Sequence, residues 1–484
     1  MRNAAAVLLG MALIWTGAGQ TAFALDAMPK VPINSEDWYR LEIMGIHVGS
    51  MWTHSEQVES EIVVQSELVM KLSRVGFPVD VRQTRVARFD AEPPYAPRSF
   101  SYIGREMDVE KRIEGRAVGE EMHLSILSGG KMYEKTIGMP AGAVFEEAIP
   151  FLLQDRAFKV GDKASYFTFN YELLTPISYR VSAIDSEDEE TFAIVYLLEQ
   201  LQVEVTSYLN KDGSVLETVI PLGAMSLRMA LASEKEATET PEGRFDIVIS
   251  TKTEFQGAPP SDPELFTAEA RLPNKELSDA APNTHRQTLT PIADSDWMSL
   301  EVKRDAEPQE RVPYPIKSAE LEPFLSSTLY VQADNPDIRA KAAEIVDGTE
   351  GAWEAAKRIS EWTHTYVKEK RFDRGYATAK ETLDSRSGDC TEHTMLAVAL
   401  TRAAGIPARI VSGVVWMKDG FYYHFWHEAY VGEWIALDAT LGQTPADARR
   451  IQLSRGELES DTALELTFGV LQTLNMLELR ASPK

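Results

Sequence analysis

Cysteine, positive charge and long apolar runs are all scarce in this sequence. Cys390 is the only cysteine among 484 residues, so no intrachain disulfide can form. Acidic side chains outnumber basic ones by 74 to 49, which gives a formal net charge of −25. Such a chain repels polyanions, so we expect no nucleic-acid partner. With 44% hydrophobic and 25% charged residues, the composition is that of an ordinary globular protein.

Metal-ligand patterns are equally sparse. His393 follows Cys390 at the spacing Cys-x-x-His, but a structural zinc site needs a second matching pair of ligands. The sequence also contains no recognisable calcium loop or nucleotide-binding motif. We therefore expect no metal ion and no other cofactor, and we interpret His393 as a packing residue in the first turn of a helix.

The one notable apolar stretch lies at the N-terminus. Arg2 provides a charged start, Ala4–Trp15 is apolar, and Ala22-Phe23-Ala24 has the small-x-small form of a cleavage site. This pattern predicts a signal peptide over residues 1–24, with cleavage near Ala24. The stretch is shorter than the roughly 20 residues that span a bilayer, and no later run reaches that length. We expect a mature chain without a membrane span, in the periplasm or secreted.

The length predicts two or three domains. Residues 25–285 favour short β-rich segments between turns, such as Ser178–Ser182, and predict a mostly antiparallel β domain of unknown role. The proline-rich and acidic residues 286–325 are interpreted as a linker, although Asp296–Val302 has the composition of a strand. Residues 326–484 then form the second domain. The predicted fold class of the whole chain is α+β.

Helices open this second domain. Asn335-Pro336 has the pattern of an N-cap followed by proline at the first helical position. A second helix is predicted from about Ala352 to Lys368. Its apolar stripe, which includes Ile359 and Trp362, indicates core packing rather than contact with a cofactor.

The strongest local signal surrounds the cysteine. Asp389 and Glu392 have the spacing of a capping box, and the helical run that follows stops before Gly405-Ile406-Pro407. Cys390 would therefore occupy the first position of a helix. Unpaired backbone N–H groups and the positive end of the helix dipole favour a thiolate at that position. The same N–H groups can stabilise a developing oxyanion. A lone cysteine is usually buried and inert, but this position indicates a nucleophile.

After Pro407 the pattern changes to β-strands. The predicted strands are Ala408–Trp416, Phe421–Val431 and Trp434–Ala439, joined by turns that contain Gly420 and Gly432. A helix that begins with cysteine thus leads into an antiparallel sheet that carries histidine and aspartate. This is the order that a Cys-His-Asp triad would need if the sheet packs across the start of the helix.

Two histidines on the middle strand compete for the role of base. His424 and His427 face opposite sides because side chains alternate along a strand, so only one of them can meet the thiolate. A two-residue turn at Gly432-Glu433 would place His427 opposite Asp438. A three-residue turn with a bulge would bring His424 to the face of Asp438 instead. Counting residues leaves both registers open.

Four segments of this region closely resemble the bacterial transglutaminase-like superfamily, and the resemblance covers roughly residues 325–450. The segments are Gly388–His393, Leu400–Arg409, His424–Tyr430 and Trp434–Thr440. The resemblance implies a papain-like α/β fold, in which the nucleophilic cysteine opens a helix. The base and the aspartate that orients it come from adjacent strands. The side chain of the family's oxyanion hole has no clear counterpart in this sequence.

The resemblance also implies a role for each candidate residue. The family's base precedes x-Trp-x-Glu, a pattern that falls on His424, and its orienting aspartate falls on Asp438. The implied triad is therefore Cys390, His424 and Asp438, which favours the bulged register and leaves His427 on the other face. Ala439 stands where the family often has proline. Since proline carries no catalytic group, this departure weakens nothing chemical.

An enzyme of this kind would form a thioester acyl-enzyme on a peptide or protein substrate, such as one of the cell envelope. Water would then release an acid, as in a protease or amidase, whereas a lysine amine would produce a protein crosslink. We favour hydrolysis, because water has open access outside the cytoplasm. The third alternative is a catalytically silent domain in an envelope binding or assembly protein.

Overall fold

The structure is a computed structural model, and it forms two compact units, residues 2–246 and 247–484. It describes residues 28–482 except for these positions: 75–76, 107–108, 129–130, 172–173, 187, 189, 200–202, 223–224, 242, 247–249, 251, 256–258, 260–262, 274–275, 329, 371–376 and 456–475. The signal peptide predicted over residues 1–24 lies outside the described residues. Within the described part of the chain, each helix is either too short or too polar to cross a bilayer.

The first unit is built on one long sheet. Its strands are β1 (Ser35–Ile43), β2 (Ile46–Val58), β3 (Glu61–Arg74), β4 (Phe77–Asp90), β5 (Pro97–Glu106), β6 (Val109–Val118), β7 (Glu121–Ser128), β8 (Lys131–Gly138), β9 (Lys163–Asn170), β10 (Thr175–Ile184), β11 (Thr191–Leu198), β12 (Val203–Asn210), β13 (Val215–Leu222), β14 (Met225–Ala232) and β15 (Phe245–Asp246). The order is β8-β7-β6-β5-β4-β3-β2-β1-β14-β13-β12-β11-β10-β9, and neighbours are antiparallel. The short β15 pairs parallel with β3.

Alternation of side chains explains this sheet. In β1, Tyr39, Leu41 and Ile43 are buried, whereas the residues between them remain partly accessible. The pattern repeats along β12, where Val203 and Val205 are buried and Glu204 is exposed. A period of two is the signature of strands with one buried face. The predicted antiparallel β domain is confirmed for these residues.

Two short helices accompany the sheet, α1 (Ile149–Asp155), which follows a 3-10 turn at Glu146–Ala148, and α2 (Glu234–Thr238). The 3-10 turn brings two acidic side chains into the interior. Glu146 accepts a hydrogen bond from Arg85 at 3.1 Å, and Glu147 accepts one from the hydroxyl of Tyr171 at 2.8 Å. All four side chains are buried. This group, together with Tyr179, which donates to Glu146, is called the Arg85 cluster below.

The second unit contains a four-stranded sheet. Three of its strands lie where the sequence predicted the end of the β domain, residues 25–285, and the linker, residues 286–325. Its strands are β16 (Leu265–Arg271), β17 (Gln287–Pro291), β18 (Met298–Lys303) and β25 (Glu478–Arg480), in the order β17-β18-β16-β25, with a short helix α3 (Leu277–Ala280). Residues 287–303 therefore form two strands in this sheet and do not remain an extended connector. The strand composition of Asp296–Val302 was the correct signal there, and a 3-10 helix follows at Ala319–Leu325.

The remaining elements surround one central helix. They are α4 (Pro336–Ile345), α5 (Ala352–Tyr366), β19 (Glu369–Lys370), α6 (Ala379–Ser385), β20 (Ser387–Gly388), α7 (Cys390–Ala403), β21 (Ala408–Met417), β22 (Gly420–Tyr430), β23 (Trp434–Leu437) and β24 (Arg450–Arg455). Helix α7 contacts α4, α5, α6, β21 and β22, and its residues from Thr391 to Arg402 are buried. The sheet order is β23-β22-β21-β24.

The predicted helix signals are confirmed here. Asn335 caps α4, and its side chain accepts a hydrogen bond from the Asp337 N–H. The stripe on α5 is partly as expected, because Ile359 is fully buried. Trp362, in contrast, is half-buried and stacks on Tyr366 with ring centroids 4.1 Å apart. The fold class is α+β, as predicted.

Candidate active site

The start of α7 has the geometry that the sequence predicted. The Asp389 carboxylate accepts a hydrogen bond from the Thr391 N–H at 2.9 Å, and the Glu392 carboxylate accepts one from the Asp389 N–H at 2.9 Å. This is a complete capping box with Cys390 at the first helical position. The Cys390 side chain is half-buried at the positive end of the helix dipole.

Glu392 also anchors this helix start to the rest of the unit. Its other carboxylate oxygen accepts a hydrogen bond from the Ala377 N–H at 3.1 Å, and its side chain is buried. Gly388 lies against it, and a Cβ at that position would approach the Glu392 Cβ to 2.3 Å. One buried carboxylate thus fixes both the segment before α6 and the turn that presents Cys390.

The hairpin between β22 and β23 adopts the bulged register. Tyr430 pairs with Trp434, and His427 pairs with Leu437. Gly432 has a φ of 110°, and the Val431 N–H donates to the Glu433 carbonyl at 2.8 Å. A positive φ is readily available only to glycine, which explains the bulge at this residue. The three-residue turn is therefore the correct one of the two alternatives.

This register brings His424 and Asp438 together. The Nε2 of His424 lies 2.8 Å from Oδ2 of Asp438, and both side chains are buried. With Nε2 donating to the carboxylate, Nδ1 is the imidazole nitrogen that can exchange a proton with a substrate or a nucleophile. Helix α7 packs against β22, the strand that carries His424. The structure thus joins His424 to Asp438 and positions Cys390 at the start of the helix that packs on the same strand.

The Asp438 carboxylate is surrounded by donors. The N–H groups of Thr440 and Leu441 each donate to Oδ1 at 2.9 Å, and Arg450 donates to Oδ2 from Nε at 3.0 Å and from Nη2 at 2.6 Å. Burial alone would raise the pKa of Asp438, but the charges of His424 and Arg450 and the hydrogen bonds hold it well below its usual range. This carboxylate is therefore ionised at any physiological pH.

His427 has a different environment on the opposite face of β22. It is completely buried, and neither ring nitrogen has a hydrogen-bond partner among the residues that the structure describes. Burial lowers the pKa of His427 to about 4, although the charge of Asp438 opposes the shift. A neutral, enclosed imidazole is a poor proton carrier, which favours His424 as the base.

Two arginines of the site have roles that the sequence analysis did not identify. Arg409 pairs with Glu428 across β21 and β22 at 2.6 Å, and the Arg409 guanidinium lies 3.9 Å from the ring centroid of Trp434. Arg450 bridges Asp438 to Asp447, with its Nη1 2.7 Å from Asp447 Oδ1. The signal for the first pair was present, since Arg409 and Glu428 both lie in the quoted motifs. Arg450 lies at the edge of that region, and nothing nearby in the sequence singles it out.

No group of three or more histidine, cysteine, aspartate and glutamate side chains within the described ranges has the arrangement of a metal site. The acidic residues near His424 have arginine partners instead. The arrangement supports acid–base chemistry at an imidazole held by an aspartate, near a helix start that favours a thiolate.

Comparison with known proteins agrees with this geometry. Residues 339–439 match the family model of the transglutaminase-like superfamily. The matched range includes α7, β21, β22 and β23, and it contains Cys390, His424 and Asp438. The resemblance drawn from the sequence motifs is thereby confirmed. No curated protein matches the chain.

Several solved structures show weak similarity. A proposed cysteine protease from Cytophaga hutchinsonii is 19% identical over 45% of this chain and 81% of its own, with a TM-score of 0.31. A β-barrel-like protein with a domain of unknown function from Brucella abortus is 13% identical over 41% of this chain and 95% of its own, with a TM-score of 0.32. A proposed protease from Parabacteroides distasonis is 10% identical over 68% and 64%, with a TM-score of 0.19. Because these TM-scores lie below 0.5, the similarities assign no activity to this chain.

Proposed function

We propose that this chain, which carries a transglutaminase-like core at residues 339–439, is an exported cysteine-dependent hydrolase of peptide or amide bonds. Cys390 is the nucleophile, His424 the general acid and base, and Asp438 the residue that orients the imidazole. The proposed location is the periplasm or the medium, after cleavage near Ala24. The proposed substrate is a peptide or protein, with the cell envelope as its candidate source, and the proposed reaction needs no cofactor.

One observation carries the proposal. The imidazole of His424 is hydrogen-bonded at 2.8 Å to a buried, ionised aspartate, on the strand against which the Cys390 helix packs. A buried histidine held in this way has a fixed tautomer and orientation, which is what a general base requires. A purely structural histidine does not need an aspartate that is itself held by an arginine and two backbone N–H groups. His427, three residues away, has none of these contacts.

The proposed reaction begins with proton transfer from the Cys390 thiol to Nδ1 of His424, which gives a thiolate and imidazolium pair. The sulfur attacks the carbonyl carbon of the amide, and backbone N–H groups at the start of α7 stabilise the oxyanion. As the C–N bond breaks, the imidazolium protonates the leaving amine, and a thioester remains on Cys390. Water then attacks the thioester and gives a proton to His424, and the C–S bond breaks to release the acid.

The same thioester could react with a lysine amine instead of water, which would form an isopeptide bond. Hydrolysis is the favoured outcome because water has free access to an extracytoplasmic site, whereas the amine must be supplied and oriented by a second bound protein. No feature of the described residues favours a site for such a second protein. Hydrolysis and transfer share every residue named above.

The experiment uses the mature chain, residues 25–484, and exploits its single cysteine. Iodoacetamide labelling across pH should show a Cys390 thiolate well below the ordinary thiol pKa of about 8.5. Incubation with a library of acetylated peptides, with and without added lysine methyl ester, should release acids in both cases and be abolished by Cys390→Ser. Products that contain the amine would make the enzyme a transferase. Labelling that begins only near pH 8.5, together with no product from any peptide, would refute the enzymatic proposal.

A further inference from the structure

We propose that Arg450 is a positioning residue that limits how tightly Asp438 holds the proton of His424, so that the imidazole can both accept and return a proton. The inference rests on the proposed function of His424 as general acid and base. It goes beyond that function because it assigns the control of the imidazole to a residue on another strand, β24.

The geometry places two donors in competition for one oxygen. Oδ2 of Asp438 accepts from His424 Nε2 at 2.8 Å and, in the same structure, from Arg450 Nε at 3.0 Å and Nη2 at 2.6 Å. The guanidinium is always charged, and two of its N–H groups point at this oxygen. The imidazole therefore shares its acceptor with a permanent cation.

Arg450 cannot move away from this position without leaving other groups unsatisfied. Its side chain is fully buried, and its Nη1 donates to Asp447 at 2.7 Å. Asp447 is held in turn by Gln443 at 3.0 Å and by Arg449 at 2.6 Å. The Asp438 N–H and carbonyl both bond to Gln443, at 2.9 and 3.0 Å, which closes the loop between β23 and β24. The guanidinium is thus fixed by a second aspartate on the side away from His424.

The consequence follows from simple electrostatics. A buried aspartate with no other cation would hold an imidazolium very tightly, because their attraction is strong where water is excluded. An imidazolium that cannot release its proton is a poor general acid for the leaving amine. The positive charge of Arg450 at the same oxygen opposes a second positive charge on His424. It therefore weakens the hold of Asp438 on the imidazolium proton, which favours return of that proton to the leaving amine.

The elements around His424 and Asp438 carry other charged groups, but among the described residues none of these repeats the hydrogen bonds from Arg450 to Oδ2 of Asp438. The neutral His427 lies on the opposite face of β22. Burial lowers the pKa of Arg286, which donates hydrogen bonds to the Ala446 and Asp447 carbonyls and is paired with Asp305. The remaining charged or titratable groups of the surrounding elements include Glu428 and Arg409 on β22 and β21, Asp447 and Arg449 before β24, and Cys390, Glu392 and His393 on α7. On α5, His364 lies with its Nδ1 3.0 Å from the Ala439 carbonyl oxygen. Among the described residues, Arg450 is the cation that directly donates to Asp438.

The experiment compares Arg450→Met and Arg450→Lys with a matched control, Arg409→Met. Arg409 is also a buried, ion-paired arginine of the same sheet, but its partner is Glu428. The basic limb of the pH profile of kcat/KM should move up by about one pH unit in Arg450→Met, since a nearby charge shifts a pKa by about 1–3 units. It should move less in Arg450→Lys and stay fixed in Arg409→Met, because the Arg409 guanidinium is paired with Glu428 and not with Asp438. We also expect kcat to fall about tenfold in Arg450→Met, because Asp438 loses part of its support.

A second measurement keeps the test independent of turnover. The imidazole of His424 is titrated by 15N NMR in Cys390→Ser protein, with and without the Arg450 change. A higher His424 pKa in the Arg450→Met protein would support the inference, whether or not a peptide substrate is found. A failure to hydrolyse any peptide would count against the proposed hydrolase and not against the role of Arg450. If Arg450→Met fails to fold, Asp447→Asn provides the test, because it releases the guanidinium and should move the same limb upward by a smaller amount. An unchanged basic limb and an unchanged His424 titration in the folded variants would overturn the inference.

Discussion

The two units each bury charged side chains, but they do so in different ways. In the first unit, the Arg85 cluster closes on itself, since Arg85, Glu146 and Glu147 are paired with one another or with tyrosine hydroxyls. In the second unit, the group around Asp438 is also buried, but one of its members, His424, lies on the strand that packs against the Cys390 helix. Burial of charge therefore serves packing in one unit and can serve chemistry in the other.

The carboxylates of the two groups also differ in their affinity for protons. Burial raises the pKa of Glu147, although Arg85, a backbone N–H and the Tyr171 hydroxyl all act against the shift. The pKa of Asp438 is held low in spite of burial. Asp438 receives hydrogen bonds from His424, Arg450 and two backbone N–H groups, whereas Glu147 receives them from a neutral hydroxyl and a single backbone N–H group. The number and charge of the donors, not the depth of burial, decide the charge state.

The largest effect is expected when His424, the proposed base, is substituted and compared with His427 on the same strand. His424→Gln should lower kcat/KM by about 10³-fold or more, because the thiolate loses its proton acceptor and the leaving amine its donor. His427→Gln, on the same strand and equally buried, should change kcat/KM by less than about tenfold while costing some stability. The measurement is steady-state hydrolysis of one peptide by both variants. A greater loss in His427→Gln would reverse the assignment of the base.

The next effect concerns stability of the first unit. Arg85→Met should destabilise the protein by about 3–4 kcal/mol, since it leaves Glu146 buried without its cation. Arg82→Met on the same strand is the control, because its pair with Glu67 is exposed and should contribute less than about 1 kcal/mol. Urea unfolding followed by tryptophan fluorescence measures both. Equal effects for the two variants would contradict the view that the Arg85 cluster stabilises this unit.

Local signals in the sequence were sufficient for the parts of the site that depend on neighbours along the chain. The capping box at Asp389 and Glu392 predicts the start of α7 correctly because both partners lie within one turn. The register of the hairpin between β22 and β23, in contrast, did not follow from local sequence alone. Counting residues allowed two pairings, and only the family pattern around His424 favoured the bulged one that the structure has.

Contacts between distant segments could not be derived in the same way. Strands β17 and β18 lie in the region that was interpreted as a linker, and β18 pairs with β16. Strand β16 in turn pairs with β25, about 200 residues further along the chain, so the partners that complete this sheet are distant in sequence. Arg450 approaches Asp438 only because β24 pairs with β21 on the far side from β22. Nothing near Arg450 in the sequence indicates which of several arginines would be buried.

A smaller effect is expected at the turn before Cys390. Gly388→Ala would bring a Cβ within 2.3 Å of the Glu392 Cβ, so the anchored start of α7 must shift. We expect a loss of about 1–3 kcal/mol in stability, together with a fall in kcat/KM. Gly138→Ala in the first unit is the control, because no atom lies within 4 Å of the added Cβ. Thermal unfolding and peptide hydrolysis measure the pair. If Gly388→Ala behaves like Gly138→Ala, the start of α7 is more adaptable than its hydrogen bonds indicate.

The smallest effect tests the difference between the two carboxylates directly. Because the folded-state pKa of Glu147 is raised above the ordinary value of 4.5, its favourable contribution is complete below that value and is lost as the pH rises through the folded pKa. Glu147→Gln removes this loss and keeps an acceptor for Tyr171, so it should gain stability relative to wild type as the pH rises from 4 to 8, by about 1 kcal/mol or less.

Asp438→Asn should show the opposite dependence of stability on pH. Its carboxylate has a lowered pKa, so its contribution is present above the ordinary value of 3.8 and is lost as the pH falls toward the folded pKa. The cost of Asp438→Asn should therefore shrink in acid. Unfolding free energies of both variants between pH 3 and 8 measure the two slopes, and slopes of the same sign would show that donor number does not control these charges.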